Sequence, residues 1–372
     1  LWTEAEQHQL PAHRPPEIHT ADLSGLVLEL ALWGASDPGS LRWLDLPPAA
    51  AVAQARELLV RLGALEIKNA ELKIKNELVT LVAATNSPEE PPIFNSPLLI
   101  FNSTLHGRAL AKLGLPPRLG HLVVRGTALG HGAAAAALAA LLGERDLLRW
   151  ATPHDPRPLP PDLRLRLEAL ASGRPPLPGL ALHHATWQRV RGVARHLQSR
   201  SGFKKETPAA QLLTNAPLGL LTALAYPDRV AQREAPDRLR LVSGQRVSLK
   251  TEDVDPQAQF FAVAYLAGTA AAPRATLAAP LGREELEVAF GEQITTTDEV
   301  RYDPGTQRVA GRRVRRLGAL LLSESPIGQP DATLVAQALL GYLQEAGLSK
   351  LNWTDGAQQL RQRLEFLHQL VG

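Results

Sequence analysis

Residues 239–250, LRLVSGQRVSLK, and residues 260–265, FFAVAY, mark where the texture of the chain changes. Short segments resembling strands follow one another at Leu239–Val242, Arg246–Leu249, Phe260–Tyr265, Ala275–Ala279 and Val300–Tyr302. Gly and Pro punctuate them, which predicts a small barrel or sandwich. The flanks read differently. Ala332–Leu370 returns to a helical pattern, and everything before Leu221 is largely helical.

In the amino-terminal flank, Thr20 offers an N-cap. Leu23, Leu26, Val27 and Leu30 then recur at the spacing of one helical face, and Gly34 closes the run. A second helix is expected after Pro47-Pro48, with Val52, Ala55, Leu59 and Leu62 on its buried side and Gly63 as its stop. The pair fits a small nucleic-acid-binding module, possessing a wing or not, and equally fits any two packed helices. Residues 67–103 carry two short direct repeats: Ile67-Lys68-Asn69 with Ile74-Lys75-Asn76, and Ile93-Phe94-Asn95-Ser96 with Ile100-Phe101-Asn102-Ser103. They read as an insertion, because solenoid periods are longer. Within it, Leu72–Ala83 suggests a hairpin and Pro88–Pro97 a loop. From Leu105 to Arg149 the chain reads helical, Pro-dense breaks follow at Pro153–Pro161 and Pro175–Pro178, and a further helix is expected over His183–Arg200.

The 372 residues suggest two or three domains at roughly 150 residues each. The absence of cysteine excludes disulfides, thiolate metal sites and a cysteine nucleophile. The apolar run Ala133–Leu142 is far short of the roughly 20 residues a membrane helix needs. No secretory pattern opens the chain. It holds no methionine and begins at Leu1, so a piece of a longer protein is expected.

Tests for chemistry fail one after another. No phosphate-cradling G-x-x-x-x-G-K-[ST] loop occurs, and Gly126, Gly130 and Gly132 read as a helix break. There is no G-x-S-x-G elbow and no H-E-x-x-H helix. His183 and His184 are adjacent and point apart on a helix, so no metal site is expected there. Glu284, Glu285 and Glu287 read as a solvated helix face.

Net charge is +3, too small to decide for a polyanionic partner, so its distribution matters more. Arg312, Arg313, Arg315 and Arg316 crowd together before the apolar run Leu317–Leu322. A second strip comprises Arg189, Arg191, Arg195, Arg200, Lys204 and Lys205. Arginine forks suit phosphate oxygens, and both strips are also compatible with a solubilising surface.

The ordered runs LSGLVLELALWG (23–34), LRWLDLPP (41–48), LLVRLGAL (58–65), HGRALAKLGLPPRLGHLV (106–123) and LLTALAYPDRVAQR (220–233) resemble the region after the second RecA-like domain in DEAH/RHA-type RNA helicases. LAAPL (277–281) and RRLGALLLSE (315–324) are similar to its bacterial HrpB-type branch. The opening LWTEAEQHQLP resembles the tail just past the last ATPase motif. The resemblance implies an α+β multidomain chain. Its order would be the tail of a RecA-like domain (1–20), a winged helix with an insertion at 67–103 (21–112), a helical ratchet bundle (113–205), an OB-like β-barrel domain (206–290) and an HrpB-type helical C-terminal extension (291–372). The long segment before the Gly-Arg-Ala stretch departs from the family pattern and implies a remodelled wing. The ATPase motifs are absent, so ATP and magnesium belong to motor domains outside this chain, which itself is expected to hold no cofactor and no metal.

The implied role is to guide single-stranded RNA or DNA beside the RecA-like motor in the cytoplasm, with no membrane partner. Arg229 and Arg233 on the OB-like start (beside Tyr226), Arg246 and Lys250 on the next strands, and Arg312, Arg313, Arg315 and Arg316 are the expected backbone contacts. With four Tyr and seven Phe in the chain, electrostatics is expected to outweigh stacking. The alternative is a protein-interaction scaffold of the same helicase, in which the C-terminal extension docks a protein partner without direct RNA contact.

Overall fold

The computed structural model describes residues 16–35, 37–67, 101–200, 216–250, 253–269, 271–306, 308–347 and 354–371. It is a mixed α+β architecture with 11 α-helices among the described residues and a closed five-stranded barrel. Two compact units divide it, residues 1–291 and 292–372.

The first unit opens with helices α1 (Ser24–Trp33) and α2 (Ala49–Arg61). Both end where a glycine can take a left-handed backbone, Gly34 at φ 87° and Gly63 at φ 69°. The cap of α1 differs from the expectation. Thr20 closes a preceding 3-10 turn, Leu23 takes the N-cap position, and the Asp22 carboxylate accepts from Ser24 N at 2.8 Å. An acidic side chain one step before the cap meets an orphan N–H that Thr20 is too distant to reach. Strands β1 (Leu65–Ile67) and β2 (Phe101–Ser103) pair antiparallel, and α3 (Leu105–Leu113) follows. Leu28, Val52, Leu59, Phe101 and Leu110 form the shared core of this module. The hairpin expected at 72–83 and the loop at 88–97 lie outside the described residues, as does most of the expected 1–20 tail.

The stretch expected to be helical from Leu105 to Arg149 is three helices and a strand: α3, α4 (Pro117–Ala128), α5 (Gly132–Leu142) and β3 (Leu148–Trp150). Gly114 and the Pro116-Pro117 pair separate the first two, and Gly130 the next two, since neither residue type favours continuing a helix. Almost every side chain of the Ala/Leu-rich α5 is buried, which makes it the central helix of the bundle. It lies against α4 and α7 (His184–Arg200), while α6 (Leu163–Ser172) and β4 (Leu180–Leu182), the partner of β3, complete the layer.

Helix α8 (Leu218–Ala225) is buried throughout and leads into the barrel. The barrel strands are β5 (Val230–Ala235), β6 (Arg238–Leu241), β7 (Arg246–Ser248), β8 (Phe260–Thr269) and β9 (Ala272–Leu281), closed in the order β5-β6-β7-β9-β8. All pairs are antiparallel except β7 with β9. Leu239, Leu241, Val247, Phe261 and Val263 fill its interior. Helix α9 (Arg283–Phe290) follows; of the three acids expected on a solvated face, Glu284 is exposed, while Glu285, accepting from Gly282 N, and Glu287 are half-buried.

Several contacts fasten bundle to barrel, among them the following two. Asp162 bridges to Ala278 on β9, where Ala278 N donates to Pro161 O at 2.8 Å. Arg118 on α4 donates to both Asp228 carboxylate oxygens, at 2.5 and 3.0 Å, and lies over the Tyr226 ring with its Cζ 5.3 Å from the centroid. Burial alone would raise the Asp228 carboxyl, but hydrogen bonds and charge from Arg118, with Arg229 adding to them, hold it below its ordinary range.

The second unit is a three-stranded antiparallel sheet, β10 (Thr295–Asp303), β11 (Arg308–Leu317) and β12 (Leu320–Ile327), followed by α10 (Ala332–Ala346) and α11 (Asp355–Val371). Tyr302 of β10 meets Tyr342 of α10 at 4.8 Å between ring centroids. The helical stretch expected over Ala332–Leu370 is thus two helices, the first ended at Gly347 (φ 81°). No described helix is long and apolar enough to cross a membrane.

Candidate nucleic-acid interface

The arginine run at 312–316 lies on the central strand of the second unit's sheet, where alternation sends neighbours to opposite faces. On β10, Arg312 sits opposite Glu299 and Arg313 opposite Asp298, while Arg315 and Arg316 face Thr296 and Thr295. Arg312 reaches Glu299 at 2.9 Å and Glu324 at 3.0 Å, Arg313 reaches Asp298 at 2.8 Å, and Arg316 reaches Glu299 at 3.0 Å. Hydrogen bonds from Arg316 and then Arg312 hold the Glu299 carboxyl below its ordinary range. Arg315 also has an interaction of its own. The run is thus one side of a surface ion-pair ladder. Each such pair contributes about 0–1 kcal/mol, so a phosphate can compete for these cations but must displace a carboxylate to do so.

The barrel residues are also engaged. Arg229 donates to Ala264 O at 2.7 Å and lies over Tyr226, its Cζ 4.9 Å from the ring centroid. Arg233 donates to Asp255 O and Pro256 O, fixing the loop before β8. Arg246 stands 60% exposed on β7 with Glu234 at 2.7 Å. Lys250, just past β7, is exposed and has no ion pair among the described residues. Along α7, Arg189 pairs with Glu144 at 3.1 Å, Arg191 stacks on Trp187 and Arg200 donates to Lys112 O at 2.8 Å. Lys204 and Lys205 lie outside the described residues.

Of the expected residues, the structure brings Lys250 to a cleft of about 1110 Å³ in the first unit. One wall is the end of α5 with the loops around β3; the other is the barrel at β7 and β9. Arg145 and Arg274 line it too, both exposed and, among the described residues, without an ion pair. The cleft's carboxylates are Glu144, Asp146, Asp237 and Asp253. Two of them are occupied: Arg189 holds Glu144, and the buried Arg166 holds Asp146 at 2.7 Å. Tyr265 closes the floor, its hydroxyl donating to Leu142 O; burial pushes that phenol up to about 12, so it stays protonated at any working pH.

Trp150 and Arg157 complete the cleft. The Arg157 Cζ lies 4.3 Å from the Trp150 ring centroid, and Trp150 Nε1 donates to Arg157 O at 2.7 Å. Sequence reasoning found neither residue, nor Arg145 and Arg274. They are scattered singly over some 130 positions, and the fold alone gathers them. The available signal was Trp150 beside the Pro-dense break at Pro153–Pro161.

The cleft thus gathers dispersed cations with Trp150 and Tyr265 on a helical bundle braced by a barrel. No family model matches the chain. It is 28% identical over 367 residues to the ATP-dependent RNA helicase HrpB of Escherichia coli (strain K12), across 98% of this chain and 38% of that protein. Two solved structures agree: the E. coli DExH-box NTPase HrpB (27% identity, TM-score 0.61, 97% of this chain and 37% of that one) and the E. coli DEAH/RHA helicase HrpB (26%, TM-score 0.59, 97% and 38%). The chain thus corresponds to the C-terminal region of a DEAH/RHA-type helicase. Within that class its counterpart is HrpB, of which it spans under two fifths.

Proposed function

We propose that this chain is the nucleic-acid-binding accessory region of an ATP-dependent RNA helicase and guides single-stranded RNA or DNA beside RecA-like motor domains. ATP and magnesium would be handled by that motor, in the cytoplasm. The observation that carries the reading is the cleft where Arg145, Lys250 and Arg274 stand without described carboxylate partners. Dispersed cations with little base readout suit a polymer that must slide. In this reading residues 21–112 act as a winged helix, 113–205 as a ratchet bundle, 206–290 as an OB-like domain and 291–372 as an HrpB-type extension. The barrel's closed order with one parallel pair supports the OB-like reading. The Arg312–Arg316 ladder and Arg246 serve as secondary phosphate contacts, while Arg229 and Arg233 shape the barrel that presents Lys250. Fluorescence anisotropy with a labelled single-stranded oligonucleotide tests this: affinity should fall steeply as salt rises, and salt-insensitive or absent binding at low ionic strength defeats it.

A second reading, a docking scaffold for a protein partner without direct RNA contact, is favoured by one feature of the second unit. Leu360, Leu364, Phe366 and Leu367 on α11 are 52–61% exposed. Loss of binding to purified motor domains on deleting residues 330–372, with oligonucleotide binding unchanged, would support it.

A further inference from the structure

Arg157 differs from Arg145, Lys250 and Arg274 in having its charge answered and its plane fixed at once, and from the paired Arg166 in standing exposed. Its Nε donates to Asp155 Oδ1 at 3.0 Å and its Nη2 to Oδ2 at 2.8 Å, a fork-on-fork pairing that sets the plane of the guanidinium. Asp155 in turn accepts from the Arg157 backbone N–H at 2.9 Å, and its side chain is 9% exposed. One face of the guanidinium lies on the Trp150 indole, with Cζ 4.3 Å from the centroid. The arginine side chain nevertheless remains 66% exposed. The turn that presents the pair includes His154 in the left-handed region at φ 59°, unusual for a residue other than glycine. A guanidinium so paired has little to gain from a phosphate. A planar, weakly hydrated surface held in place by two neighbours suits a flat ring laid on it.

Resting on the reading of the cleft as a single-strand path, we propose that Arg157, ordered by Trp150 and Asp155, is a stacking platform for a nucleobase and not a phosphate contact. The layer order is indole, guanidinium, base. Every base has a π face, so the platform grips the strand without reading its sequence, and it marks a stopping point along an otherwise electrostatic track. Asp155 keeps the local charge near neutral, so a base can settle without a backbone phosphate being pulled over it.

The test separates stacking from charge. Binding of a labelled single-stranded oligonucleotide and of inorganic polyphosphate, which has no bases, is measured against salt for the whole chain and for Arg157→Ala and Arg157→Lys. Thermal melts confirm that both variants fold. The proposal predicts that R157A weakens oligonucleotide binding about tenfold at every salt concentration with an unchanged slope, within the usual range for one stacked base. Polyphosphate affinity falls by much less, since only the uncovered Asp155 charge opposes it, and lysine, with no planar fork, does not restore the oligonucleotide loss. It is overturned if R157A binds the oligonucleotide as the unsubstituted chain does, or if R157A flattens the slope, weakens polyphosphate equally and R157K restores both. If the unsubstituted chain shows no salt-sensitive oligonucleotide binding, the single-strand reading itself falls, which is a different result.

Discussion

Replacing Arg145, Lys250 and Arg274 together by Ala removes the three cleft cations that have no described carboxylate partner. All three side chains are exposed, so the fold should tolerate the change. On a single strand each neutralised phosphate contributes about 0.7 to the slope of log affinity against log salt, so the triple variant should lose about 2 from that slope. Between about 50 and about 200 mM salt, that difference corresponds to a loss of about 20-fold in salt response. Anisotropy titrations of one labelled oligonucleotide at several salt concentrations read it directly. A triple variant whose slope matches that of the unsubstituted chain refutes the assignment of these residues to the strand.

Three further outcomes follow from the geometry. Replacing Arg312, Arg313, Arg315 and Arg316 by Ala should flatten the same slope by less than the cleft triple does, because Asp298, Glu299 and Glu324 already answer three of them; a larger effect would move the main contact to the second unit. Arg118→Ala should destabilise the first unit by about 2 kcal/mol in urea melts, below the range for fully buried pairs because Asp228 is 33% exposed; unchanged stability would mean that the α4–barrel fastening is idle. His121, 2.8 Å from His106, is held neutral with its pKa lowered to about 3, by burial first and then by His106 and Arg125. Unfolded, it titrates near 6.5, so its contribution is complete above that pH and shrinks as pH falls towards 3. The loss at pH 5 is about 2 kcal/mol, and the acid side of the stability profile should be shallower in His121→Asn.

The helix pair α1 and α2 was legible because apolar spacing and glycine stops act locally, and both stops lie where expected. Strands β6, β7, β8 and β9 were legible in part for the same reason, although β8 and β9 extend further than the apolar runs suggest. Strand β11 was hidden. A half-exposed strand lined with arginine shows no apolar alternation, and the acids that make it a strand stand on its neighbours. The cleft was the least legible feature. Lys250 was found as one cation among many, while Arg145, Trp150, Arg157 and Arg274 meet through tertiary packing, and no local pattern records that.

The most direct measurement is photo-crosslinking of a single-stranded RNA carrying 4-thiouridine, with the crosslinked peptides identified by mass spectrometry. The account predicts crosslinks at residues 145–157 and 248–276, competed away by unlabelled strand and by raised salt. Crosslinks confined to residues 292–372, or none that competitor removes, would contradict it.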